Sequence, residues 1–263
     1  MATYLDRILD THRAAAARDD RPFGDLYQQA CSAGPVRGFT NALAHVDPMV
    51  DGIAVISEVK RRSPSKGDLF AGLDPATVAQ QYAAGGASCV SVLTDEEFFG
   101  GSVDDLQVAR EACSLPVLRK DFTVAARDVL DARIMGADCV LLIAAALSSE
   151  ELAQFHSLAI EVGLDVLVEV HDEQELEVAL EVGATLVGVN QRDLVTFNVD
   201  HERALRMGGV IPSEVVAVAE SGVRNRSDAL ALTEAGYQAV LVGETLVTSG
   251  DPEEAVAQLR GHR

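Results

Sequence analysis

Only three of the 21 basic residues are lysines, and they fall in two short segments. Lys60 and Lys66 lie in "SEVKRRSPSKG" and Lys120 in "PVLRKDF". Arginine carries the positive charge elsewhere. Arginine cannot give up its proton at a workable pH, whereas a desolvated lysine can. A bias towards arginine explains the scarcity of lysine but not its placement, so the three lysines are candidates for acid–base chemistry. Apolar runs elsewhere in the chain end in further polar groups: Glu58 before Lys60, Glu169 in "LVEVH", Asn190 in "GVNQRDL" and Glu220 in "AESGV". In an extended strand Glu58 and Lys60 share one face with Ala54 and Ile56.

The elements that must hold these residues repeat along the chain as a helical segment, a glycine and an apolar strand. The repeats are "AAGGASCVSVL", "RIMGADCVLLIA", "IEVGLDVLVEV", "LEVGATLVGVN" and "TEAGYQAVLVG". Glycine suits a left-handed helix C-cap, and Val/Leu/Ile runs without strict alternation suit parallel strands covered on both faces. "GIAVISEVK", "LPVLRKD" and "EVVAVAES" bring the strands to eight. Asp74-Pro75 and Asp251-Pro252 read as helix N-caps followed by proline, and Ser148 with Glu151 as a capping box. Leu176, Ala179 and Leu180 mark one apolar helix face.

Eight strands alternating with helices predict an α/β fold: a closed (β/α)8 TIM barrel, one domain over residues 1–263. Residues 1–50 form an N-terminal helical extension, with helices expected in "TYLDRILDTHRAAAARDD" and near "PFGDLYQQA". An open doubly wound sheet is the alternative, but "KRRSPSKG" stands where its glycine-rich phosphate turn would follow the first strand.

The net charge of −20 disfavours nucleic acid and anionic membranes as partners. The N-terminus has no apolar stretch long enough for a signal peptide or a membrane span. Cys31, Cys89, Cys113 and Cys139 form no CxxC pair, and Cys89 and Cys139 lie in strand-like runs, as core thiols of a cytoplasmic protein would. No cluster has metal-ligand spacing.

In a (β/α)8 barrel the chemistry sits at the C-terminal strand ends. There Glu58, Lys60, Lys120, Glu169, Asn190 and Glu220 form one ring of mixed charge, suited to displacing pKa values for acid–base work. "AESGV" and "VLVGE" put Ser221, Gly222 and Gly243 where backbone N–H groups can face an anion, a recurring phosphate site of strands seven and eight. The bland readings are polar residues leaving the barrel into solvent and glycines that merely permit turns.

"SEVKRRSPSKG", "LPVLRKDF", "LVEVH", "GVNQRDL", "AESGV" and "VLVGE" resemble the successive strand-end motifs of the indole-3-glycerol phosphate synthases, over residues 3–258. The resemblance implies conversion of 1-(2-carboxyphenylamino)-1-deoxyribulose 5-phosphate to indole-3-glycerol phosphate, with loss of CO2 and water, using no cofactor and no metal. It implies Lys120 as the general acid of ring closure, and Lys60 beside the substrate carboxylate and sharing acid duty in dehydration. Glu169 would transfer protons in dehydration, Glu58 would orient the lysines, and Asn190 and Glu220 would complete the ring. Ser63, Ser221, Gly222 and Gly243 would hold phosphate, Arg192 would border the substrate, and Phe99 would meet its aromatic ring, with Phe98 as the alternative register. The partner is thus a small anionic phosphorylated substrate, and the chain a monomer or weak homo-oligomer.

Partial burial among cations is expected to lower the Lys120 pKa. Two readings stay open for Lys66, a charge closing over the site or a solvated loop charge. Arg61 and Arg62 read as surface or loop-bracing residues, and His171 as a capping or solvated residue. The chain departs from some family members at Glu244, where they have serine, and its carboxylate is expected to point away from phosphate. Other phosphate-binding barrels, such as the phosphoribosyl isomerases, lack the Lys60, Lys120 and Glu169 set. A non-catalytic ligand-binding subunit would not need an intact ring of charge.

Overall fold

The computed structural model describes residues 3–63, 66–70, 72–193 and 198–261, leaving Pro64 and Ser65 of the first-loop motif outside. All eight expected strands are present: β1 (Ala54–Val59), β2 (Cys89–Leu93), β3 (Val117–Lys120), β4 (Cys139–Ile143), β5 (Asp165–Val170), β6 (Leu186–Asn190), β7 (Val216–Glu220) and β8 (Ala239–Val242). They pair in parallel and close into a barrel, with β8 returning to β1. The pairing sets the site: Asn190 lies opposite Glu220, Glu169 opposite Gly188 and Lys120 opposite Leu93.

Alternation along each strand divides the apolar side chains between two cores. Ala54, Ile56, Cys89, Leu118, Cys139, Leu141, Leu167 and Leu241 fill the barrel interior. Val55, Val90, Val140, Val168 and Val240 face outward, in the core shared with the surrounding helices. The helices start and stop as their residues dictate. Asp74 and Asp251 cap the helices Pro75–Ala84 and Pro252–Arg260, and Ser148 and Glu151 form a reciprocal capping box on the helix Ser149–Glu161. Gly136 and Gly236 follow helix ends at φ 98° and 105°, where a Cβ would be strained.

The N-terminal segment contains three helices, not two. α1 (Tyr4–Ala16) lies at the C-terminal end of the barrel, where Arg13 donates to the Ala146 carbonyl and to the Glu151 carboxylate. α2 (Phe23–Ser32) packs on the flank against the helix Ala126–Ile134. α3 (Phe39–Ala44) plugs the opposite end: Phe39 and Leu43 are fully buried in the interior core. Thr40 N–H donates to Asp165, the first residue of β5, at 2.9 Å, and Arg37 N–H to Asp138, just before β4, also at 2.9 Å. Among the described residues no helix is long and apolar enough to cross a membrane.

Candidate functional site

A cavity of about 440 Å³ opens at the C-terminal ends of the strands, and the twelve residues singled out above as site candidates all line it. Lys120 ends β3 and reaches inward between two carboxylates. Its Nζ is 3.1 Å from Glu169 Oε2 and 3.5 Å from Glu220 Oε2. Asn190 Nδ2 donates to Glu169 Oε1 at 3.1 Å. Asn190 Oδ1 accepts from Ser221 Oγ at 2.9 Å and from Arg192 N–H at 3.0 Å, tying three strand-end loops into one network. Lys60 pairs with Glu58.

The electrostatics correct one expectation. Burial alone would lower the Lys120 pKa, but the charges of Glu169, Glu220 and Glu58 outweigh it and raise it. The neighbours that matter are carboxylates from three other strands, not the adjacent arginine. The carboxylates separate in turn. Burial pushes Glu169 up, but Lys120, His171 and Asn190 more than reverse this, so it stays ionised. Glu220 is driven above the usual carboxylate range by burial and by neighbouring Glu169 and Glu58, against the pull of Lys120. Glu220 Oε1 is buried with no hydrogen-bond partner among the described residues.

Two glycines make room for these charges. A Cβ at Gly188 would lie 2.0 Å from Glu220 Oε1, and one at Gly243 would lie 2.4 Å from Glu58 Oε1 and 3.0 Å from Lys60 Nζ. Gly188 was not singled out from the sequence; its one signal is a glycine inside a strand, which marks close approach. Ser221 holds a left-handed φ of 67°, a strained position for a residue with a side chain. Ser63 Oγ is buried without a hydrogen-bond partner among the described residues.

The aromatic wall resolves its register. Phe99 lines the cavity, 6.2 Å from Phe122, while Phe98 turns away to meet Tyr4 edge-on at 5.9 Å. Phe122, His201 and Arg224 also line the cavity and were not singled out as site residues; none stands at a strand's last position. Asp95 fixes the turn by accepting from the N–H groups of Phe98 and Phe99 at 2.6 and 3.0 Å. His12 of α1 lies 2.9 Å from Asp95 and 3.9 Å from Asp121. His12, Asp95 and Asp121 bring together donors that could hold a metal, a grouping in space that ligand spacing along the sequence does not show. Its members lie too far apart in sequence to show as a motif. Its carboxylates are engaged internally, Asp121 by Arg119, Thr94 and the Phe122 N–H.

The Glu244 expectation also changes. Its side chain lines the cavity and pairs with Lys66, which reaches across from the first loop. Arg61 and Arg62 brace that loop, Arg61 on Asp105 and the Leu73 carbonyl, Arg62 on the Glu96 and Glu97 carbonyls. His171 does not cap the next helix, whose N-cap is Asp172; its ring is largely buried beside Glu169.

A family model for indole-3-glycerol phosphate synthase matches residues 5–259. A protein named indole-3-glycerol phosphate synthase 2 from Streptomyces coelicolor is 49% identical, covering 95% of this chain and 94% of its own length. An indole-3-glycerol phosphate synthase from a Nocardioides species is also 49% identical, covering 88% of this chain and 92% of its own length. Among solved structures, thiamine phosphate pyrophosphorylase from Pyrococcus furiosus matches with a TM-score of 0.60 at 16% identity, over 80% of this chain and 95% of its own, a likeness of fold alone. With motifs, barrel and relatives in agreement along nearly its whole length, the chain belongs to the indole-3-glycerol phosphate synthase family.

Proposed function

We propose that the ring of charge at the top of the barrel is where this chain carries out the reaction of its family. That reaction closes the ring of 1-(2-carboxyphenylamino)-1-deoxyribulose 5-phosphate, then loses CO2 and water to give indole-3-glycerol phosphate. The observation that carries the assignment of roles is Lys120 lying between Glu169 and Glu220, in the cavity that also holds the Lys60–Glu58 pair.

In ring closure the ring carbon bearing the carboxylate attacks the substrate carbonyl. The carbonyl oxygen becomes an alkoxide, and Lys120 donates a proton to it. The raised pKa keeps Lys120 protonated at the start of each cycle but makes it a weaker acid, so donation is driven by the developing alkoxide, a far stronger base than an amine. CO2 then leaves, and its electron pair restores the aromatic ring. In dehydration Glu169, ionised at rest, removes a proton from the neighbouring carbon. Lys60 protonates the departing hydroxyl, which leaves as water. Glu58 orients Lys60, and Asn190 holds Glu169.

Ser63, Ser221, Gly222 and Gly243 hold the phosphate, and Arg192 borders the substrate. Phe99 and Phe122 flank the anthranilate ring. The cavity is lined by five lysines and arginines and five carboxylates, so an anion meets local balance in a chain of net −20. Protonation of Glu220 tips that balance towards positive. The extension belongs to the same domain as the barrel, a reading supported by its contacts at both barrel ends. The net charge argues against nucleic-acid and anionic-membrane partners, and the four free cysteines suit the cytoplasm. We read the protein as a monomer or weak homo-oligomer.

The test is growth of indole absorbance on mixing purified protein with the carboxyphenylamino-deoxyribulose phosphate. No absorbance change at stoichiometric enzyme overturns the assignment.

A further inference from the structure

On the side of the cavity assigned to phosphate, two cations are already matched. Lys66 is held by Glu244, and Arg224 by Asp228 through its Nε at 3.0 Å. A phosphate dianion there gains from a further donor, and His201 stands in the right place. His201 opens the helix His201–Gly208 and lines the cavity beside Gly222. A Cβ on Gly222 would lie 2.9 Å from His201 Cε1 and 3.5 Å from Nδ1. The ring edge that carries both nitrogens therefore lies along the loop after β7. A buried amide aims that edge. Gln191, 1% exposed, directly follows β6. Its Nε2 donates to the Ser221 carbonyl at 2.8 Å, and its Oε1 meets His201 Nδ1 at 2.9 Å. A backbone carbonyl only accepts, so the amide orientation is fixed and Nδ1 must carry the ring proton. The Gln191 carbonyl also accepts the N–H of Asp200, the N-cap of the His201 helix, at 2.8 Å. Nε2 is then the basic nitrogen of the neutral ring, and it has no hydrogen-bond partner among the described residues.

We propose that His201 is a further phosphate-binding residue: with Nδ1–H held on Gln191, it takes a solvent proton at Nε2 and donates that hydrogen to a phosphate oxygen of the substrate. The inference rests on the reading that Ser221, Gly222 and Gly243 hold the phosphate. A free imidazole is half protonated near pH 6.5, and a phosphate monoester sheds its second proton near about pH 6. Between the two, one proton serves both partners, and a dianion beside the ring favours the imidazolium. Asp228, from the helix Arg226–Glu234, faces the ring closely enough to feel its charge and is itself held by Arg224 of the loop after β7. Gln191, from the loop after β6, is neutral. Asp200, Glu202 and Arg203 flank His201 on its own segment, with Asp200 engaged in capping the Arg203 N–H.

The experiment titrates inorganic phosphate into the parent, His201→Leu and His201→Arg by calorimetry between about pH 6 and pH 9, and measures its competition with substrate in the indole assay. The proton loss of phosphate itself acts on all three proteins alike, so the ratio of affinities isolates the side chain. Near pH 6.5 His201→Leu should bind phosphate about three- to tenfold more weakly, as expected for a charged hydrogen bond at a partly exposed site. Its KM should rise by more than its kcat falls. The gap to the parent should close towards pH 9. His201→Arg should keep the affinity and hold it to high pH, because its charge is permanent. It also reads the role if His201→Leu folds poorly. Equal phosphate affinity in the parent and both variants at every pH, with competition intact, overturns the role of His201 and leaves the phosphate site standing. Phosphate that does not bind the parent, or does not compete with substrate there, overturns both.

Discussion

Lys66, on the loop after the first strand, is ion-paired with Glu244, which comes next after the glycine that follows the eighth. The pair spans the cavity mouth on the side assigned to phosphate. A carboxylate there repels a phosphate dianion, but Lys66 neutralises it and is itself withheld from the ligand.

Glu244→Ser should free Lys66 for the phosphate. Exposed pairs are worth about 0–1 kcal/mol, so KM should fall by about two- to fivefold at low salt, and less at high salt. Steady-state kinetics at two ionic strengths check this. A raised KM would mean that Glu244 helps to hold the ligand.

Lys120→Arg separates a proton donor from a fixed charge. Arginine keeps the charge facing Glu169 and Glu220 but does not donate usefully. We expect kcat to fall by about 10²–10⁴ while a substrate analogue still binds, because Lys60 and the phosphate residues remain. Near-parental kcat would reduce Lys120 to an anchor.

Glu220→Gln imitates the protonated carboxyl. The folded-state pKa of Glu220 is raised, so its contribution to stability is full below its ordinary value and is lost as pH climbs through the raised one. The melting temperature of the variant should therefore gain on the parent between about pH 5 and pH 9. Activity should fall, the common cost of relieving a strained active site. A gap that stays constant with pH would show that Glu220 does not titrate in that range.

His12→Gln tests the anchor between α1 and the strand ends. Burial lowers the His12 pKa, but Asp95 and Asp121 outweigh it and raise it. The charged histidine thus stabilises the fold below about pH 6.5, and that contribution fades as pH rises through the folded value. Melting of parent and variant should differ most near pH 6 and converge in alkali. KM should rise, because Asp95 holds the turn that presents Phe99. Equal melting curves at every pH would remove His12 as an anchor.

The strand ends were legible because Val/Leu/Ile runs stop at charged residues, a pattern that buried parallel strands impose on sequence. α3 was not. It has six residues, starts after Gly38 at φ 70° with no side-chain cap, and buries only Phe39 and Leu43. The charge around Lys120 was misjudged for a related reason. Its sequence neighbours, Arg119 and Asp121, offer one charge of each sign, whereas the carboxylates that surround it in space come from strands 49 and more residues away. His171 beside Glu169 was visible as a pair, but Glu175 closing the far side of the ring depends on where the next helix begins.

The path of the N-terminal segment sets a timetable for synthesis. Phe39 and Leu43 leave the ribosome early, yet the interior they fill also needs Val216, Val218, Ala239 and Leu241, from the last two strands. At about 5–20 residues per second, translating the intervening chain takes roughly 10–40 s. During that interval the plug has no barrel to enter and its apolar side chains stay available to chaperones or to other nascent chains. α3, made early, is among the last elements to have its partners complete, so native protein should accumulate at the pace of strand closure.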